Sequence, residues 1–115
     1  MSCEGLKDIY RGDTVPYKIT IKDENGDPIN ITGSRIRITL KADLSDPDPG
    51  ALQKDAVLTD PVNGEALLTL SSNDTDIEAR EYYYDIEWKD SSDNIRTILG
   101  GGDETIRVFE DVTTN

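Results

Sequence analysis

The chain contains no histidine and one cysteine, Cys3, among its 115 residues. Without histidine it lacks the side chain that most often acts as a general base near neutral pH or binds a transition metal. The Ser-His and Cys-His nucleophile pairs of hydrolases are excluded for the same reason. A single cysteine cannot form an internal disulfide, so we expect a hydrophobic core to hold the fold together.

Long apolar runs are also missing from the sequence. No stretch approaches the roughly 20 apolar residues that a membrane-spanning helix needs. No apolar segment follows a basic N-terminus, as it would in a secretory signal peptide. We therefore expect a protein that is made in a cytoplasm, has no membrane partner and carries no signal peptide.

Basic residues are scarce, since the chain has 12 of them and 24 acidic residues, which gives a net charge of −12. Such a chain is repelled by phosphate backbones, so nucleic acid is not an expected partner. The glycines at 100–102 precede neither Lys-Ser nor Lys-Thr, and we interpret them as a flexible corner rather than a phosphate-binding loop. We expect no cofactor, and the remaining partner classes are proteins, neutral sugars and metal cations.

Apolar residues alternate with polar residues along most of the chain. This period of two is typical of strands with one buried and one exposed face. It predicts strands at residues 15–22, 34–41, 52–59, 65–70, 81–89, 95–99 and 105–109, with short edge pairings at 6–10 and 28–31. The expected core positions are Tyr17, Ile19, Ile36, Ile38, Tyr82, Tyr84, Ile86 and Trp88.

Turn residues separate these runs at 23–27, 60–64 and 90–94, and one helical turn is predicted at 74–80. About seven or eight short strands with frequent turns indicate an all-β antiparallel sandwich. The length fits a single domain over residues 1–115, with flexible termini at 1–5 and 111–115.

Two sets of acidic residues are candidates for a metal site or a catalytic site. Asp43, Asp46 and Asp48 form the densest acidic loop and are weak candidates for a calcium site, because their spacing does not match an EF-hand. Asp85 and Glu87 lie on one strand face and are the candidate pair of carboxylates that glycoside hydrolysis requires. We favour an exposed acidic loop and a solvated strand face over either site, so we expect no metal and no catalytic residue.

Three stretches of the chain resemble the N-terminal domain family of phage baseplate upper proteins. The first is the Gly12-Asp13-Thr14 turn, which opens the strand at 15–22. The second is the turn segment at 23–33, which includes Gly26 and Gly33, and the third is the aromatic strand at 82–88. The resemblance covers nearly the whole chain and implies an immunoglobulin-like sandwich that docks into a tail or baseplate.

From this resemblance we expect a non-catalytic structural module that resides in the virion, is made in the host cytoplasm, and assembles with other tail proteins and with copies of itself. The alternative is a glycan- or calcium-dependent adhesion module, for which Tyr83 is the expected outward aromatic side chain. We expect the strand charges to form cross-strand pairs. The acidic excess is then expected in the loops at 43–48, 74–76 and 90–93, where a basic partner would dock.

Overall fold

The structure is a computed structural model that describes residues 5–48, 50–99 and 104–110. Within these ranges the protein is all-β, with two sheets and one short 3-10 helix, Pro61–Asn63. The strands are β1 Ile9–Tyr10, β2 Val15–Thr20, β3 Arg35–Lys41, β4 Leu52–Asp55, β5 Val57–Asp60, β6 Glu65–Leu70, β7 Glu81–Lys89, β8 Ile95–Leu99 and β9 Thr105–Phe109. The expectation of an all-β protein built from two sheets is confirmed. The predicted flexible stretches at 1–4 and 111–115 and the glycine corner at 100–102 lie outside the described residues.

The larger sheet has six strands, and its central member is β7. Its order is β1-β9-β7-β3-β4, and β8 also pairs with β7. The register places β8 and β9 one after the other along the same edge of β7, since Trp88 lies opposite Arg96 and Tyr82 lies opposite Ile106. The smaller sheet has the order β2-β6-β5. All pairings between these strands are antiparallel except that of β1 with β9, which is parallel.

The core lies between the two sheets and follows the predicted alternation. The structure buries Ile19 of β2, Ile36 and Ile38 of β3, and Tyr82, Tyr84, Ile86 and Trp88 of β7. Tyr17 is half-buried rather than fully buried, and its hydroxyl donates to the backbone oxygen of Lys7 at 2.6 Å. Within the described ranges, no helix is long and apolar enough to span a membrane.

The prediction of a single strand at 52–59 is wrong. The chain leaves the larger sheet after β4 and enters the smaller sheet as β5. The residue between them, Ala56, donates its N–H to the backbone oxygen of Ile36 at 2.8 Å. A strand that changes sheets in this way forms a corner of the sandwich, and side-chain alternation alone does not mark the corner.

The helical turn predicted at 74–80 does not form, and turns occupy residues 72–75 instead. The Asp74 carboxylate accepts the Ser71 N–H at 2.8 Å, and the Asp74 N–H donates to the Ser71 hydroxyl at 3.2 Å. The Thr75 hydroxyl is buried and donates to the backbone oxygen of Asp13 at 2.7 Å. This contact joins the loop after β6 to the turn before β2, and no helix continues beyond it.

Side chains hold the segment before β1 in place. The Tyr84 hydroxyl accepts the Leu6 N–H at 3.0 Å, while the Asp8 carboxylate accepts the Arg107 N–H at 2.9 Å. Together with the bond from Tyr17, these contacts attach residues 6–8 to both sheets. The first strand can therefore stay in place although only two of its residues pair with β9.

We expect the Trp88→Ala variant to lose about 3–5 kcal/mol of unfolding free energy, as is typical of large aromatic truncations in cores. Trp88 is 7% exposed, its indole N–H donates to the Ser34 hydroxyl at 2.9 Å, and the Arg96 guanidinium lies 5.0 Å from its ring centroid. Chemical denaturation measures the change. The control is Ile95→Ala on the neighbouring strand, where Ile95 is 58% exposed; it should cost less than about 1 kcal/mol. Similar losses in the two variants would contradict the buried position of Trp88.

Tyr17 should make the protein sensitive to alkali. Burial raises the pKa of Tyr17 from 10.0 to about 12, and the charge of Asp8 adds to the shift. Because the folded state keeps this proton longer than the unfolded chain, the associated stability is complete below pH 10 and is lost as pH rises towards 12. The free energy of unfolding of wild type and Tyr17→Phe, measured over this interval, should converge as pH rises. A constant difference between the two would contradict the assignment.

Candidate functional site

The acidic loop that the sequence offered as a weak calcium candidate does not gather its carboxylates. Asp43 accepts the backbone N–H of Ser45 at 3.2 Å, which lowers the pKa of Asp43, and Asp46 accepts the Asp43 N–H at 3.1 Å. Asp48 forms an ion pair with Lys41 at 3.0 Å. These carboxylates stabilise a turn, and among the described residues no group of three or more Cys, Asp or Glu side chains is placed to hold a metal.

The glycines of the turn motif have backbone roles. Gly12 has φ +84° in the turn closed by the Asp13 N–H and the Tyr10 oxygen at 3.2 Å, and Gly33 has φ +75° in the turn between Ile31 and Ser34. Gly26 has φ +83° in the turn at 23–27, and Asp13 and Thr14 are exposed. The Gly12-Asp13-Thr14 segment is therefore part of a tight turn between the two sheets, as expected from the sequence.

The outward side chains of β1, β3, β4, β7, β8 and β9 form one broad surface, which we call the outer face. Most of the β3 and β7 side chains on it are half-buried by their neighbours, although they point away from the core. Its basic residues are Arg35, Arg37, Lys41, Lys89 and Arg107, and its acidic residues are Asp55, Glu81, Asp85 and Glu87. This surface places more charged side chains side by side than any single loop does.

Cross-strand ion pairs connect much of the outer face, as expected from the sequence. Arg37 binds Asp55 with two hydrogen bonds of 2.6 and 3.2 Å, which lower the pKa of Asp55. Arg35 reaches Glu87 at 3.2 Å. Partly exposed pairs of this kind contribute about 0.2–1 kcal/mol each, so their main effect is to fix the positions of the charges.

Asp85 is the exception at the centre of the outer face. It lies opposite Thr39, which is buried and accepts a hydrogen bond from Gln53 at 3.1 Å. Burial raises the pKa of Asp85, the charge of Glu87 raises it further, and Lys41 only partly opposes the shift. Within the described part of the chain Asp85 has no ion pair. The fold therefore carries a half-buried carboxylate without a cation bound to it.

The prediction that the loops hold the unpaired acidic excess is wrong for several of the named residues. Asp74 binds Lys54 at 2.8 Å, Asp76 binds Arg11 at 3.0 Å, and Asp90 binds Arg96 at 2.9 Å. Long basic side chains from β4, from β8 and from the turn after β1 reach these loops, which the sequence alone does not reveal. The loop carboxylates are thus less available to a partner than expected, and Asp85 on the outer face is more available.

An exposed aromatic pair was missed in the sequence analysis, which singled out Tyr83. Tyr83 is half-buried, whereas Tyr10 is 56% exposed and Phe109 is 40% exposed. Their ring centroids lie 5.7 Å apart, and the guanidinium of Arg107 lies 5.7 Å from the Phe109 centroid. The alternation places both rings outward beside the buried Ile9 and Val108, so that pattern could have identified them.

The carboxylates at 85 and 55 should have opposite effects on stability. The pKa of Asp85 is raised in the fold, so the stability associated with its proton is lost as pH rises. Asp85→Asn should therefore be more stable than wild type at pH 7, and the gain should shrink in acid. Asp55→Asn should be less stable at pH 7, because the pKa of Asp55 is lowered and its contribution is lost only as pH falls.

Each change should be at most about 1 kcal/mol, since solvent screens partly exposed charges. Denaturation curves of the two variants between pH 3 and pH 7, an interval that spans the ordinary Asp pKa of about 3.9, measure both effects. Equal destabilisation by the two substitutions would contradict the assignment of Asp85 as the unpaired carboxylate.

Comparisons with known proteins do not assign this chain to a family. No protein-family model matches it. No curated protein matches it either. The residues and contacts described above are therefore the basis for assigning a function.

Proposed function

We propose that the protein is a non-catalytic docking module of a bacteriophage tail or baseplate, residing in the virion and assembling with other tail proteins. The proposal is supported by the three stretches that resemble the N-terminal domain family of phage baseplate upper proteins. The turn at Gly12 connects β1 of the larger sheet to β2 of the smaller sheet, and the aromatic stretch at 82–88 lies within β7. The residues that carry the resemblance thus lie in a turn that connects the two sheets and in the central strand of the larger sheet.

The strand order supports an immunoglobulin-like assignment within this proposal. The strands β2, β6 and β5 correspond to B, E and D of one immunoglobulin sheet. The strands β4, β3 and β7 correspond to C′, C and F of the other, and β8 and β9 together take the place of G. The short β1 lies beside β9, so the first strand joins the sheet that contains the last.

The outer face is the structural feature that best supports the docking role. Arg and Tyr side chains are enriched at protein interfaces, and Arg35, Arg37 and Tyr83 lie on this face, held by their neighbours. Side chains that are already ordered lose less conformational entropy on binding than free ones. A broad surface of this kind suits a protein partner better than a small substrate.

Glu87, one of the two carboxylates considered for catalysis, is paired with Arg35, and Asp85 stands beside it on an open sheet face. A glycosidase holds its two carboxyl groups across a bound sugar, with one acting as acid and the other as base or nucleophile. The paired carboxylate, Glu87, and the unpaired carboxylate, Asp85, lie on the same strand and on the same face of the sheet. This arrangement supports the non-catalytic part of the proposal.

The proposal is tested by co-expressing the chain with the products of the genes that flank its own, one at a time, and purifying through a tag on this chain. We expect a stoichiometric complex with a tail or baseplate protein. Complex formation should weaken about tenfold or more for Arg35→Glu, because the substitution reverses a charge on the proposed docking surface. Glu24→Lys, in an exposed turn away from the outer face, is the charge-changing control. Flanking genes that encode no virion proteins, together with no complex, would contradict the proposal.

Glycan adhesion remains the second candidate, and the exposed Tyr10–Phe109 pair favours it. If the pair binds cell-wall polysaccharide, titration should give a saturable change in intrinsic fluorescence that is lost in Tyr10→Ala and kept in Val57→Ala. Val57 is an apolar residue on the other sheet and is 69% exposed. A docking module should give no saturable response in wild type.

A further inference from the structure

We infer that Tyr10, Arg107 and Phe109 form an anchor site on the outer face, and that this site binds an acidic segment of a different protein in which a carboxylate lies beside an apolar side chain. The inference rests on the proposed docking role and deepens it, because it names the residues that bind and the chemistry that they bind. The three residues lie together on β1 and β9, at one side of the outer face.

The first observation is that Arg107 has no anionic partner. Within the described part of the chain it is the only basic residue of the outer face without an ion pair. The others pair as Arg35 with Glu87, Arg37 with Asp55, Lys41 with Asp48, and Lys89 with Asp93. The charge of Arg107 is therefore open to an anion that the chain itself does not supply.

The carboxylates around Arg107 do not neutralise it. Asp8 accepts the backbone N–H of Arg107 at 2.9 Å and makes no ion pair with its guanidinium. Glu110, just after β9, binds Arg11 at 3.3 Å. Glu81 lies opposite Arg107 in the register, yet the two side chains form no ion pair among the described residues. A carboxylate from outside the chain can thus approach the guanidinium and accept two parallel hydrogen bonds from it.

The second observation is that two exposed aromatic rings lie beside this cation. Tyr10 is 56% exposed and Phe109 is 40% exposed, and the Arg107 guanidinium lies 5.7 Å from the Phe109 centroid, within the range of a cation–π contact. Tyrosine and arginine are the residue types that most often dominate binding energy at protein interfaces. A group that matches this site combines a negative charge with an apolar surface.

An exposed aromatic pair alone would also suit a sugar, and Arg107 decides between the two. A sugar ring stacks on a flat, open aromatic face. Here the planes of Tyr10 and Phe109 are tilted by 39°, and the guanidinium of Arg107 lies over the Phe109 ring. The site is therefore less a platform for a sugar than a recess for an acidic and an apolar side chain.

The position of the site on the molecule also suits an acidic segment. The outer face carries five basic and four acidic residues, whereas the whole chain has 12 basic and 24 acidic residues. An acidic segment is thus repelled less here than elsewhere on the surface. Because β1 is an edge strand of the larger sheet, the segment can reach the site from the side.

The first test uses the complex with the flanking-gene product. Arg107→Gln and Tyr10→Ala should each weaken the complex about tenfold or more, as is typical of truncations at interface hot spots. Two matched controls should bind like wild type. Lys22→Gln removes the same charge from an exposed lysine that also has no ion pair among the described residues, and Val57→Ala shortens an exposed apolar residue on the other sheet.

The second test reads the site without a partner, by NMR titration with phenylacetate and with its neutral analogue phenylacetamide. Phenylacetate should give saturable shifts of the Arg107 Nε–H and of the Tyr10 and Phe109 ring signals. Phenylacetamide should bind about tenfold more weakly, because it cannot form the charge-assisted hydrogen bonds. The response to phenylacetate should be lost in Arg107→Gln and kept in Lys22→Gln.

Melting curves show that each variant is folded, and Arg107→Gln decides the first test if Tyr10→Ala does not fold. If Arg35→Glu weakens the complex but neither anchor variant does, the inference fails and the docking role stands. If no flanking product binds, the docking role fails, and a phenylacetate response that needs Arg107 still supports the carboxylate site.

Three further results would each overturn the inference. The first is an equal response to phenylacetate and phenylacetamide. The second is binding of an acidic polysaccharide, polygalacturonate, through Arg107 where no protein binds. The third is self-association of the chain, measured by sedimentation velocity, that Arg107→Gln abolishes, because the acidic segment would then belong to a second copy.

Discussion

Strand β7 is hydrogen-bonded along both of its edges, to β3 on one side and to β8 and β9 on the other, and most features of the molecule depend on this position. A strand with neighbours on both sides has its direction and register fixed, so its alternate side chains are committed to opposite faces. Tyr82, Tyr84, Ile86 and Trp88 build the core from one face. The intervening residues, Asp85 among them, are held in a fixed row on the outer face.

The alternation along the sequence predicted most of the strands and most of the residues that face inward. It worked because each long strand has one face against the core, so burial and sequence share a period of two. It did not predict the change of sheet at Ala56, since a strand can keep its alternation while its hydrogen-bonding partner changes. The missing helical turn has a similar cause, because the contact between Thr75 and Asp13 joins residues that are distant in sequence.

The site was less predictable than the fold. The sequence showed basic residues along β3 and mostly acidic residues along β7. These charges pair because the two strands are neighbours in the sheet. Which carboxylate would remain unpaired depended on register: Asp85 lies opposite Thr39, whereas Glu87 lies opposite Arg37 and within reach of Arg35. A register position is a property of two strands together. It could not be read from either strand alone, and neither could the basic side chains that reach the loop carboxylates.

The parallel pairing of β1 with β9 has a mechanical consequence. Because the two strands run in the same direction, the chain enters β1 at one end of the pair and leaves β9 at the other. Tension applied along the chain at these two points pulls the strands past each other, so their hydrogen bonds are loaded in shear and must break together. The Asp8 contact to Arg107 and the ion pair between Arg11 and Glu110 cross the same junction and carry load with them. Rupture under tension would then require these bonds to fail collectively, whereas an antiparallel pair pulled apart from one end would open one bond at a time.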